Sequence, residues 1–452
     1  MAGSSASAKL PAGFETERHR ETRRLAFLFA ALYFVQGVGE PSTGLVAQPV
    51  RSLLTKTWGL SPQELSTFMF VLGLPWSIKP LFGLLTDFVP ILGTRRKSYL
   101  ILTSSIMAIG LLFASVAPLA DKATSTLMLL LLLPTTGIAF GDVVTDGLMV
   151  EKGQPLGITG RLQSAQWTAV YTAGIMTGVV GGYLSQHGMQ RVGFAICGSL
   201  ALVTLVLAIF MVDEPRTSTL DRGSFKRALQ ALWQTARSKV VVAVGVFLFL
   251  LNFNPFSSDV LYVYMTQVLK LSDQFVGTLD SVQSVGSIVG CVVYGIYSTR
   301  VPFRWLIHGS IVLAIVATLA YLGLQGQVTA VVIAATVGFV LMLTTLIQLD
   351  LAARFVPVAT AGTAFALLMS LSNFSVSLSS IVGGSFYERL AKSYGEHAAF
   401  HWLVVIGALF TAACWFLTVL LPDHDENAEK AAAEEDAEIA RASGSGEVEG
   451  LA

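Results

Sequence analysis

The chain has 452 residues, no formal net charge, 53% apolar residues and only 13% charged ones, against ~25% charged residues in soluble domains. Neutrality excludes the basic footprint of a nucleic-acid binder. Ten of the 29 acidic residues crowd into Pro422–Ala452, so the rest of the chain reads as bilayer material.

Residues 1–24 form a polar segment that ends in Arg18, Arg20, Arg23 and Arg24, directly before a long apolar run. That run is too long for the core of a secretory signal, and Glu15, Glu17 and Glu21 make the segment too acidic for a transit peptide. A helix crossing the ~30 Å hydrocarbon core needs ~20 mostly apolar residues. Twelve segments meet that length: 25–46, 64–86, 98–118, 126–149, 162–185 and 191–212, then 239–262, 273–298, 304–323, 328–350, 360–386 and 398–421. A basic linker, 213–238, separates two halves, 25–212 and 239–421. The acidic tail, 422–452, is too poor in large apolar residues to fold alone.

In chain order, the first span carries Gln36 and then Glu40 among Gly37, Gly39 and Pro41, residues that loosen a helix. Loosened helices expose backbone at transport sites. Glu40 is equally a carboxylate at the wet edge of the bilayer. The second span holds Trp76 and Lys79. A lysine at membrane depth costs at least ~2.5–3.5 kcal/mol, so it is kept for pairing or for a wet cavity. After it come Gly83, Asp87 and the cluster Arg95-Arg96-Lys97. The fourth span has Asp142 and Asp146, four apart and so on one helix face. These charges serve either a substrate and a proton or a static pair between helices. The fifth span opens at Arg161 and carries Gln166 and Trp167. The seventh has Asn252, Asn254 and Pro255, then Asp259; the proline frees a carbonyl and the amides add donors and acceptors, or the segment is a plain hinge. The tenth has Gln348 and Asp350, with Arg354 beside it, and the eleventh has Asn373. The tryptophans either stack on a flat ligand or belong to packing and the interface belt.

Charge distribution sets the orientation. With the N-terminus cytoplasmic, inside segments hold 21 Lys and Arg and outside segments seven, Lys79 completing the 29. An even number of spans then leaves both termini inside. An internal repeat supports the halves: Gly160 precedes Gly181-Gly182 as Gly362 precedes Gly383-Gly384, at a constant separation of 202 residues between the copies.

The stretch PWSIKPLFGLLTDFVPILGTRRKSYL, with Gly83…Asp87…Arg95-Arg96-Lys97, resembles the loop between helices 2 and 3 of the major facilitator superfamily, and its wording resembles the folate–biopterin transporter family. Span 1 (YFVQGVGEPSTG), span 4 (GDVVTDGLMVE) and the openings of spans 5 and 11 are similar to segments of that family. Glu40-Pro41-Ser42-Thr43 is more polar than the family pattern. The resemblance implies an all-α membrane protein with twelve transmembrane helices in two pseudo-symmetric six-helix bundles. It implies a secondary transporter of folates or pterins working by alternating access, as a proton symporter. In that reading Gln36, Trp76, Lys79, Gln166, Trp167, Asn252, Asn254 and Asn373 bind substrate. Glu40, Asp142 and Asp146 carry the proton. Gly83, Asp87, Arg95, Arg96, Lys97 and Arg161 latch the halves. The partners are a small molecule, protons and the lipid bilayer of a cell membrane or, alternatively, an organelle envelope.

Another organic anion or an amphiphile is the alternative cargo. An intramembrane aspartyl enzyme is the alternative of another class, but Ala139-Phe140-Gly141-Asp142 lacks the first glycine of G-x-G-D. No catalytic residue, cofactor or metal is expected. The six histidines are scattered, no H-E-x-x-H or G-x-x-x-x-G-K-[ST] occurs, and Cys197, Cys291 and Cys414 lie in apolar runs without metal or disulfide spacing.

Overall fold

The computed structural model describes residues 12–118, 122–216, 222–298, 300–355 and 361–421. The acidic tail and the first eleven residues lie outside the described residues. Helices dominate because a backbone in lipid must satisfy its own hydrogen bonds; among the described residues the β pairing is a single bridge, Ile91 to Thr94. In chain order the helices are α1 (Ala12–Gly39), α2 (Ala47–Ser52), α3 (Pro62–Ser77), α4 (Lys79–Phe88), α5 (Lys97–Val116), α6 (Thr124–Gly153), α7 (Thr159–Gln186) and α8 (Gln190–Met211). Then come α9 (Arg222–Ala236), α10 (Lys239–Asn252), α11 (Ser258–Val263), α12 (Asp273–Tyr297), α13 (Phe303–Ala320), α14 (Gln327–Phe355), α15 (Ala361–Tyr394) and α16 (Glu396–Leu417).

Among the described residues nine helices, with α3 and α4 taken together, are long and apolar enough to cross a membrane. The other three expected spans coincide with α1, α7 and α10. The first of these has a charged leading half, α7 is diluted by glycines and glutamines, and α10 has only 14 residues.

Three expected spans are broken rather than continuous. The second bends at Ile78, between α3 and α4. Pro80 has no N–H to offer the Trp76 carbonyl, and the Asn373 amide of α15 fills that vacancy at 3.3 Å. The seventh stops at Asn252 and resumes at Ser258 around Pro255, with Asn254 Oδ1 accepting from the Phe256 N–H at 3.0 Å. The first ends at Gly39, and Glu40–Val46 turn into α2.

Both α2 and α11 run on into a wider π turn, Leu53–Thr57 and Tyr264–Val268, and each is followed by a serine cap, Ser61 and Ser272. The two copies of this corner are 211 residues apart throughout. Their packing partners repeat too. A Cβ at Gly182 of α7 would stand 3.0 Å from the Gln274 carbonyl at the start of α12, and one at Gly384 of α15 would stand 2.9 Å from the Pro62 carbonyl at the start of α3. Only glycine permits such approach. The paired glycines therefore sit where each half grips the other, and the architecture is a two-bundle, major-facilitator-type fold.

Candidate functional site

The break in the second span positions the central cluster. At the first residue of α4, Lys79 turns its ammonium onto Asp142 of α6, with which it forms an ion pair. Asp142 is 5% exposed. Its second oxygen accepts from Gln36 Nε2 of α1 at 2.7 Å. The Lys79 ammonium also lies 4.5 Å from the centroid of the Trp76 ring. One turn beyond Asp142, Asp146 accepts from the Tyr33 hydroxyl. Gln36, Trp76, Lys79, Asp142 and Asn373 are thus joined in one set of contacts, with Tyr33 and Asp146 adjoining. Lys79 has a carboxylate and an indole face beside its ammonium, and the Gln36 amide holds the same carboxylate from α1.

The other expected binding residues sit apart from this set. Gln166 on α7 is buried, and its Nε2 has no partner. Trp167 stacks with Tyr171, ring centroids 6.0 Å apart. Asn252 donates to Gln348 of α14 at 2.8 Å. Asn254 reaches Thr318 of α13 at 3.4 Å and otherwise shapes its own turn. Glu40 is buried; one oxygen accepts from the Ser42 hydroxyl at 2.8 Å and the other is unpartnered.

At the end where α4 meets α5, Arg96 binds Asp87 at 2.6 Å, Glu151 at 2.8 Å and the Thr86 hydroxyl at 2.8 Å. Burial lowers the Arg96 pKa, and Asp87 and Glu151 outweigh it, leaving the pKa raised. Glu214 accepts from the backbone N–H groups of Arg95, Arg96 and Lys97 at 2.8 to 2.9 Å, an acidic cap on the positive start of α5. Arg95 also reaches the Asp87 carbonyl at 3.2 Å, and the Gly83 carbonyl accepts from Thr86 at 3.0 Å. Arg161 is exposed and joins none of these. The partners of Arg96 belong to its own half.

The opposite end holds Arg51, Lys56 and Asp273, which sequence reasoning missed, gathered with Asp259, which it noted in the seventh span without a partner. Arg51 of α2 pairs with Asp259 of α11 at 3.0 Å, and Asp259 also accepts from Ser380 of α15 at 2.6 Å. Lys56 pairs with Asp273 of α12 at 2.8 Å. Asp273 further accepts from Ser52 at 3.1 Å and Tyr262 at 2.9 Å, and its own N–H donates to Gln186 at 3.0 Å. Asp259 and Asp273 are 3% exposed. The available signal was the asymmetry of the repeat: one copy of the corner carries Arg51 and Lys56 and no acid, and the other carries Asp259 and Asp273 beside Lys270.

A family model, the BT1 family, matches residues 36–441. The chain belongs to the BT1 family. Among its relatives, a folate-biopterin transporter of Synechocystis is 31% identical, over 90% of this chain and 83% of that protein. A probable folate-biopterin transporter 4 of Arabidopsis thaliana is 24% identical over 87% and 94%, and folate transporter 1 of Plasmodium falciparum is 22% identical over 83% and 75%. Among solved structures, the nucleoside transporter NupG superposes with a TM-score of 0.68 at 14% identity, over 87% of this chain and 99% of that one. A D-xylose-proton symporter gives 0.67 at 14%, over 89% and 98%. These likenesses establish the fold.

Proposed function

We propose that this BT1-family protein is a secondary transporter that moves folates or pterins across a membrane by alternating access, coupled to protons. The observation that carries the reading is the Lys79–Asp142 pair at the break of the second span, held by Gln36 and faced by Trp76. The relatives' names supply the cargo class.

In the resting site Asp142 occupies Lys79. An anionic cargo gains Lys79 only when Asp142 lets go, and a proton on Asp142 removes its charge and its claim on the ammonium. Proton and anion then load together, and the site never carries two uncompensated carboxylates, each of which would cost ~2.5–3.5 kcal/mol at membrane depth. Asp146 with Tyr33, and Glu40 with its free oxygen, stand ready to pass the proton. Gln166 offers an unused donor to a ring edge, with Asn252, Asn254 and Asn373 as further amides, and Trp76 and Trp167 offer ring faces.

The halves 25–212 and 239–421 rock against each other, with 213–238 as linker. Both termini face the cytoplasm, the Arg96 end lies on that side, and the membrane is the cell membrane. With Arg51 and Lys56 bound across the halves, the outer end is closed.

The test is uptake by proteoliposomes of labelled folate, pterin and an unrelated organic anion, with and without an inward proton gradient. Folate or pterin accumulates with the gradient. Lys79→Ala and Asp142→Ala each abolish uptake, and the double change is no worse than either single one. Asp142→Asn, or Glu40→Gln, keeps exchange and loses accumulation. Robust transport of the unrelated anion beside inert folate and pterin overturns the cargo; near-normal uptake in Lys79→Ala removes the lysine from the site.

A further inference from the structure

The seam between α3–α4 of the first half and α10 and α15 of the second contains an apolar groove of about 820 Å³, within the ~300–1,000 Å³ of ligand pockets. Pro75, Ile78, Val242, Val246, Leu371 and Phe374 are among its walls, and no charged side chain among the described residues lines it. Its flank is open: Ile78, Val242 and Val246 are each more than two-fifths exposed, and on membrane helices such faces meet lipid. Neither Lys79 nor Asp142 lines the groove, although Ile78 and Pro80 on either side of Lys79 do, so it adjoins the charged cluster without sharing its charges.

Two hydroxyls break the apolar pattern. Ser77 and Ser370 both line the groove, and both are buried without a hydrogen-bond partner; Ser370 is 4% exposed. Helical serines ordinarily return their proton to the carbonyl one turn back, as Ser372 does to Leu368 at 3.1 Å. The Ser77 and Ser370 hydroxyl oxygens are both enclosed, so they add no open polar group to the groove surface.

The groove's end next to the linker is marked by Ala236, the last residue of α9, which packs against α4, α10 and α15. Arg237 and Lys239 follow it, both exposed, and Lys226 is exposed on α9. The Arg237 guanidinium lies 4.3 Å over the Trp233 ring, which is 60% exposed. An exposed tryptophan beside cations is the signature of a helix at headgroup level, with its basic side chains reaching toward phosphate.

We infer that this groove binds one anionic phospholipid of the leaflet on the linker side, the cytoplasmic one in the orientation proposed above. An acyl chain lies between α3–α4, α10 and α15, and Arg237 and Lys239 hold the phosphate. The walls belong to different halves, so the lodged chain must shift whenever the halves rock, and lipid composition sets turnover.

The experiment uses the full chain in proteoliposomes carrying phosphatidylglycerol or phosphatidylcholine with the same photoreactive acyl chain, and mass spectrometry to map the cross-linked peptides. Phosphatidylglycerol labels residues 241–246 and 367–374 at least about fivefold more than phosphatidylcholine, the preference that even one of the two basic residues confers. Val246→Trp fills the groove from its open flank and brings both signals to background. Val242→Trp does the same should the first variant assemble poorly. Arg237→Glu with Lys239→Glu keeps the labelled peptides and abolishes the preference. Equal labelling by the two lipids in the unaltered chain overturns the proposal, and so does labelling that survives both tryptophan variants. Displacement of the label by soluble folate also overturns it, since the groove would then belong to the cargo.

Discussion

At one end of the bundle Arg51 and Lys56 reach Asp259 and Asp273 across 208 and 217 residues of chain, from one half to the other. At the opposite end Arg96 gathers Asp87 and Glu151 from within 55 residues, in its own half. Both sets are ion pairs around partly or fully buried groups, but they restrain different motions. The first set must break if the halves rock apart at that end. The second can stay whole throughout, because everything it ties moves as one body. An ion pair's reach in sequence thus decides whether it acts as a gate or as a brace.

The largest effect should come from leaving the buried acids of the gate alone. Arg51→Ala with Lys56→Ala strips Asp259 and Asp273 of their cations, and an unpaired buried charge costs about 3–5 kcal/mol. Opening that end rehydrates the acids, so the equilibrium should move to the open form. Spin labels at the exposed positions Thr57 and Lys270, on the two corners, should report a longer distance, and uptake should fall by more than tenfold. An unchanged distance would mean that the pairs do not hold the gate.

Exchange of charges sharpens the same point. Arg51→Asp alone places two carboxylates together and should be as damaging as the double truncation. Adding Asp259→Arg restores an opposite pair across the seam. The rescue should recover about tenfold of the lost uptake, in the range of coupling between contacting residues. It should be incomplete, because an arginine is larger than the buried aspartate it replaces, and Ser380, which donates to the carboxylate, would have to turn and accept from the guanidinium instead.

The brace should behave differently. Arg96→Ala frees Asp87 and Glu151, which are half exposed and regain water. The expected result is a thermal midpoint a few degrees lower, on the order of 2–4 °C per kcal/mol lost. The Thr57–Lys270 distance should not change. A shift in that distance would turn the brace into a second gate, the latching role that the resemblance implies for this loop.

Legibility in the sequence followed the same division. The Gly181-Gly182 and Gly383-Gly384 repeat was visible because close helix approach leaves glycine as its mark at both copies. Lys79 and Asp142 were visible because charge within an apolar run is conspicuous. The break at Ile78 was not, although Pro75 and Pro80 were in plain view, because hydropathy averaged over some twenty residues does not register one missing N–H. Arg51 and Lys56 resembled ordinary loop charges, and nothing local connects them to acids more than 200 residues away. Gln48, whose amide reaches the Asp273 carbonyl, was silent for the same reason. Asn254 looked like a ligand donor, and its Oδ1 also serves the turn around Pro255, which its residue type did not announce. A polar side chain beside a proline satisfies backbone first, and its residue type alone does not tell the two uses apart.

The smallest effect belongs to the outermost pair on the brace side, Arg24 with Asp213 at 2.8 Å. The hydrogen bond from Arg24 holds the Asp213 pKa below the usual carboxylate value, against a slight opposing effect of burial. A depressed pKa means that the pair's contribution is complete above the ordinary carboxylate range and is lost as the pH falls through the depressed value; Arg24 stays charged throughout. Asp213 is largely in water and Arg24 is partly so, so the contribution is small and salt screens it. Unfolding midpoints of the unaltered chain and of Asp213→Asn should therefore differ slightly at neutral pH and converge as the pH drops below the carboxylate range. They should also converge at neutral pH in ~1 M salt, where charges interact over only ~3 Å. Parallel curves across the acid range would show that the Arg24–Asp213 bond adds nothing to the brace, leaving Arg96 and Glu214 to hold that end alone.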